Sequence, residues 1–150
     1  MNHKIKSYIL LMRLNSPIGS MLLLYPCFWG LISASSSIEE ITQNIFLLIK
    51  FILGAFIMRS AGCVINDIFD RNIDIQVDRT KSRPLADKSI SLHESIVIFI
   101  TLSSIGLCIL LSLNTLSIKV GLLSFILLII YPLTKRITYW PQLFLALTFN

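Results

Sequence analysis

Four apolar runs, 18–34, 45–65, 95–113 and 120–133 (the last extending back toward 116), leave this chain little choice of solvent. A helix crosses the hydrocarbon core of a bilayer in ~20 apolar residues, with a range of about 17 to 25. Within such a run the backbone polar groups must be satisfied inside the segment, which a helix does. An all-α, polytopic transmembrane bundle of about four spans follows. A fifth apolar stretch, 142–150, stops after about two turns. Composition agrees, with 55% hydrophobic and 14% charged residues and a mean hydropathy of +0.79. A soluble globule of this length needs more polar surface than that.

The runs are punctuated by local signals. Pro17, after Asn15 or Ser16 as cap, starts the first helix, and a bundled membrane helix tolerates Pro26. Tyr25, Phe28 and Trp29 fall mid-run and read as lining or packing residues. Residues 35–44 form a short polar connection, 114–119 a tight polar turn, and the serines and Gly106 of the third run suit close helix packing. Ser91 and Glu94 have capping-box spacing, and His93 between them has no chemical role. Cys27, Cys63 and Cys108 sit in apolar runs without metal-ligand spacing and read as small hydrophobes. The first apolar run lacks a small-residue cleavage site after it and is expected to be retained.

The charge of +5 is distributed for topology. Ten of the thirteen cations lie in 1–16, 66–94 and 134–141, two (Lys50 and Lys119) lie on the opposite side, and Arg59 is internal. By the positive-inside rule the N-terminus and the 66–94 loop are cytoplasmic. Cations set beside apolar runs form no nucleic-acid-binding face.

The chemistry gathers in residues 59–84, which hold four of the eight carboxylates: Asp67, Asp70, Asp74 and Asp78. Asn66, Asp70, Asp74 and Asp78 are spaced four apart, so on a helix each lies one turn above the last. Arg59, Cys63, Asn66, Asp67, Asp70 and Asp74 share an arc of about 100°. Stacked like charges repel, and a divalent cation resolves the conflict. Hard oxygen ligands suit Mg²⁺, which uses one or two carboxylates and completes its shell with water and phosphate. Arg79, Lys81 and Arg83 then complement a diphosphate. Pro84 and the Asp87-Lys88-Ser89 cluster end the aspartate helix before Arg83. Arg59, about two turns inside its run, costs about 2.5 to 3.5 kcal/mol to insert, which argues that it faces a polar cavity and an anionic partner, or pairs with Asp70.

Asn66-Asp67-Ile-Phe-Asp70-Arg-Asn-Ile-Asp74, followed by Asp78-Arg79-Thr-Lys-Ser-Arg83-Pro84, resembles the first aspartate-rich motif of the UbiA superfamily of intramembrane prenyltransferases. The segments from Met12 to Gly19 and from Arg59 to Asn66 are similar to its 4-hydroxybenzoate polyprenyltransferase branch, and Tyr131 and Lys135 match that branch's Tyr-x-x-x-Lys element. The resemblance implies half of a nine-helix bundle in a bacterial or mitochondrial inner membrane. Its substrates would be a polyprenyl diphosphate and 4-hydroxybenzoate, joined through a carbon–carbon bond in ubiquinone synthesis. It implies Mg²⁺ held by Asn66, Asp70 and Asp74, with Asp70, Asp74 and Arg59 as catalytic groups. Arg79, Arg83 and Lys135 would neutralise leaving-group charge, and Arg13 and Arg59 would meet either the diphosphate or the acceptor's carboxylate. Asp67, Asp78 and Tyr131 complete the substrate-binding set.

One departure stands out. The family's second aspartate motif has no counterpart, because no carboxylate follows Glu94. The expectation is therefore an N-terminal half, 1–150, cut within the fifth helix and inactive alone, completed by a separately encoded C-terminal half or else decayed. Haem, chlorophyll or menaquinone precursors are the alternative acceptors. An ion-conducting bundle fits the charges but leaves Arg83-Pro84 and Tyr131…Lys135 unexplained.

Overall fold

The computed structural model describes residues 3–137, Trp140, Leu143 and Ala146. Six helices follow in order: α1 (His3–Leu11), α2 (Ile18–Ala34), α3 (Ile38–Gln43), α4 (Ile45–Asp74), α5 (Leu92–Leu111) and α6 (Thr115–Ile137), with no strand among the described residues. α4 is the hub, packing most extensively on α5 and also on α2, α6 and α1. α4 and α5 are long and apolar enough to cross a membrane, while α2 and the Thr115–Tyr131 part of α6 are shorter apolar helices. The expected fifth run lies outside the described residues except for Leu143 and Ala146.

The 30 residues of α4 make a rod of about 45 Å. A hydrocarbon core is about 30 Å thick, so about 15 Å of α4 projects beyond it. The aspartates sit on that projection. The apolar span and the acidic motif are thus one uninterrupted helix, although the sequence suggests a change at Asn66.

The helix ends show why the elements stop where they do. Ser91 Oγ accepts from Glu94 N at 3.2 Å, and Glu94 Oε2 accepts from Ser91 N at 2.9 Å, completing the capping box. Glu94 also accepts from Lys4 Nζ at 2.7 Å and from Tyr8 Oη at 3.2 Å, fastening α1 to the start of α5. At the other end of α5, Lys50 Nζ donates to the Ser112 carbonyl at 3.1 Å, neutralising the negative helix terminus. Asn114 caps α6 by accepting from Ser117 N at 2.8 Å, so the polar segment 114–119 mostly belongs to α6 rather than to a turn. Pro17 occupies the cap of α2 and not its first turn, with no side-chain cap bond.

Two elements escape the sequence reading. α3 is one short turn, capped by Ser37, inside the polar connection. α1 hides in a polar, cationic segment because only Ser7 and Leu11, four residues apart, are buried. Leu11, Val64, Leu85 and Ile90 form the main buried cluster, joining α1, the far end of α4 and the 75–91 segment. Burying each such side chain stabilises by about 1.5 to 3 kcal/mol. That core lies at the aspartate end. Toward the other end, Trp29 is 73%, Phe46 76% and Tyr25 54% exposed, so Trp29 and Tyr25 are not buried against the described helices.

Candidate functional site

The aspartate end of α4 is built by three segments that converge on two buried carboxylates. Asp67 is 1% exposed and Asp74 is 6% exposed. Buried charge is tolerated only when paired. Arg13, in the turn after α1, places Nη2 3.3 Å from both Asp67 oxygens. Arg83, in the 75–91 segment, places Nη1 3.1 Å from Asp67 Oδ1 and 2.8 Å from Asp74 Oδ2. Two anions and two cations balance.

Local structure explains how each arginine arrives. Leu14 N bonds to the Ile9 carbonyl and Arg13 N to the Leu10 carbonyl, at 3.0 and 3.2 Å, the paired bonds that end a helix through a left-handed residue. Arg13 is that residue, with φ of 56°, where glycine or asparagine is normally found. The 75–91 segment is a series of tight turns, and Thr80 ties it back. Thr80 is buried, and its Oγ1 donates to the Asp74 carbonyl at 3.1 Å. That contact escapes the sequence reading; the only signal was a hydroxyl six residues past the helix end.

Arg13, Arg79 and Arg83 line one cleft of about 440 Å³, with Asn15, Ser16 and Thr80 among its polar walls. No acidic side chain lines it among the described residues. Arg79 makes no ion pair among them either, so the cleft keeps a positive surplus after Arg13 and Arg83 are matched. Guanidinium forks present paired donors to phosphate-like oxygens. The volume is that of a small-molecule site.

Asn66 Nδ2 donates to Asp70 Oδ2 at 3.1 Å, one turn apart on α4. Asp78 is fully on the surface, paired with Lys81 at 2.8 Å, and lies outside the cleft lining. Arg59 does not line the cleft; its guanidinium rests against α2, where a methyl group built on Gly19 would lie 2.5 Å from Nε. Gly19 therefore leaves the room that Arg59 occupies, a reason the sequence does not reveal. No ion pair joins Arg59 to an acid among the described residues. Tyr131 is half-buried on α6, and the Lys135 side chain lies outside the described residues.

For Mg²⁺ the donor set fits in a restricted way. Among the described residues no three His, Cys, Asp or Glu side chains gather to hold a metal. Asn66 and Asp70 are adjacent oxygen donors on α4, and Asp74, one turn further along, is paired with Arg83. A set of one or two carboxylates suits an ion that takes its other ligands from water and phosphate.

Comparison with known proteins gives this geometry a context. The chain is 48% identical over 146 residues to the mitochondrial 4-hydroxybenzoate polyprenyltransferase of Caenorhabditis elegans, covering 97% of this chain and 40% of that protein. It is 46% identical over 147 residues to the 4-hydroxybenzoate octaprenyltransferase of Vibrio atlanticus, covering 98% and 50%. Against the Shewanella oneidensis octaprenyltransferase it is 43% identical over 150 residues, covering 100% and 51%. The chain thus spans about half the length of the curated relatives it matches. No solved structure matches it. The model of the UbiA prenyltransferase family matches residues 23–150, which take in α4, its aspartates and the arginine segment that folds beneath them, and the chain belongs to that family.

Proposed function

We propose that this chain supplies the diphosphate-binding side of a polyprenyl transfer site whose acceptor is 4-hydroxybenzoate. Two observations support the reading, the three-arginine cleft and the Asn66–Asp70 pair in the last turns of the apolar helix α4. Arg79, Arg83 and Arg13 bind and orient the diphosphate of a lipid-dissolved isoprenoid, and Lys135 adds a fourth cation. Fixed cations stabilise negative charge as it develops on the leaving group. Mg²⁺, when bound by Asn66 and Asp70 with Asp74 as third member, supplies further neutralisation of that charge. Arg59, on the span below, meets the acceptor's carboxylate or the diphosphate, and Tyr131 and Asp78 border the site. The apolar helices keep water from the allylic cation.

Family membership and two span-length apolar helices make this an integral membrane protein. We place the arginine cleft on the cytoplasmic side, from the ten-to-two split of cations. With the native cysteines replaced, Ser89→Cys is expected to resist a membrane-impermeant thiol reagent in intact cells and to react after permeabilisation. Ready labelling of intact cells would reverse the topology.

The functional test is a chimera. Residues 1–150 are joined to the part of the Shewanella oneidensis protein that they do not match, and expressed in cells lacking a 4-hydroxybenzoate prenyltransferase. Prenylated 4-hydroxybenzoate is expected from the chimera and only background from residues 1–150 alone. A membrane-inserted chimera without product would overturn the reading. Product from 1–150 alone would show that one aspartate motif suffices.

A further inference from the structure

We propose that Asp67 is a positioning residue, whose buried carboxylate aims Arg13 into the cleft and touches neither diphosphate nor metal. This rests on the diphosphate reading above and deepens it. Asp67 lies beneath the cleft at 1% exposure and does not line it. Arg13 approaches both its oxygens, and Arg83 takes one of them again. A carboxylate so enclosed by guanidinium groups has no open approach for a metal ion. Arg13 and Arg83, by contrast, are 36% and 23% exposed at the side chain, with their outer faces in the cleft.

The backbone at Arg13 supports the same conclusion independently. The left-handed position that ends α1 favours glycine or asparagine, yet it carries a long cation at φ 56°. A strained position kept by a bulky side chain points to a use for that side chain. Its use here is to span from the α1 turn to α4, over fifty residues along the chain. Asp67 is the group that receives it. Arg83 has a second anchor in Asp74 at 2.8 Å, so Arg13 depends on Asp67 more than Arg83 does.

The sign of one substitution separates this role from direct contact. A carboxylate facing a diphosphate repels it, so neutralising such a residue tightens binding. A carboxylate that aims an arginine does the opposite. The experiment is calorimetric titration of inorganic pyrophosphate into the 150-residue chain in lipid nanodiscs, with and without Mg²⁺. D67N is expected to weaken binding about tenfold under both conditions. R13Q should weaken it similarly, and D67N/R13Q should match R13Q within about twofold, because the two residues act as one unit. Should D67N alone fail to fold, the charge-balanced double variant is read against R13Q. Tighter binding by the double variant than by R13Q would mean that Asp67 faces the ligand itself, and a further tenfold loss would overturn the claim that Asp67 acts through Arg13. Unchanged or tighter binding by D67N would overturn the positioning role, and a loss confined to the Mg²⁺ titration would make Asp67 a metal ligand. Absence of pyrophosphate binding by the wild-type chain would instead overturn the diphosphate reading of the cleft.

Discussion

Replacing Arg83 by alanine is expected to lower the stability of the chain by about 3 to 5 kcal/mol, the cost of breaking a buried pair by removing one partner. Arg83 Nη1 bridges Asp67 and Asp74, and among the described residues it is the only cation paired with Asp74. Asp67 would keep Arg13, whereas Asp74 would be left buried without a counter-charge. The segment held by Arg83 also carries Leu85 and Ile90, half of the main buried cluster, so its loosening would spread to α1. R83K should recover part of the loss, because a lysine brings charge but not a planar fork. R83A/D74N should recover more, since it removes both charges and leaves an amide in place of the anion. Thermal and denaturant unfolding in detergent micelles would read these differences. An R83A variant within 1 kcal/mol of wild type would show that the arginine is held by the carboxylates without supporting the fold.

The largest functional effect is expected from D70N/D74N in the active chimera, a loss of at least about 10³-fold in prenylated product. A factor of 10³ corresponds to about 4 kcal/mol of transition-state stabilisation. Ionisation of an allylic diphosphate places charge on the leaving group where Asp70 and Asp74 are proposed to help hold a neutralising ion, and an amide is a weaker ligand than a carboxylate for a hard cation. D70N alone should already lower product strongly, because Asp70 adjoins Asn66 on α4. Product formation, membrane insertion and the Mg²⁺ concentration for half-maximal activity would be measured together. Activity within tenfold of the parent chimera at equal insertion would sink the metal assignment.

The different fates of Asp67, Asp70 and Asp74 show what spacing alone can say. Helical periodicity puts these groups on one arc of about 100°, and α4 carries them through Asp74. Periodicity cannot tell which carboxylate finds an arginine, since that depends on segments distant in the chain. Asp78 illustrates the limit, for it keeps the spacing but falls past the helix end, where it pairs with Lys81 on the surface. Trp29 illustrates it again, because a mid-run aromatic looks the same in sequence whether it faces a neighbouring helix or outward.

What the sequence determined by itself was the class of solvent, the all-α architecture, the capping box at Ser91 and the family motif. Each rests on local or periodic information: run length, helix-end chemistry, residue order. Only the tertiary structure decided that Arg13 and Arg83 converge on Asp67 and that Arg59 fits against Gly19. It also decided that α1, in the cationic N-terminal segment, closes the core over Leu11. These are long-range pairings, and their reason is electrostatic as much as steric. A buried carboxylate must find a cation, and which cation reaches it is set by how α1 and the 75–91 segment fold back onto the projecting end of α4.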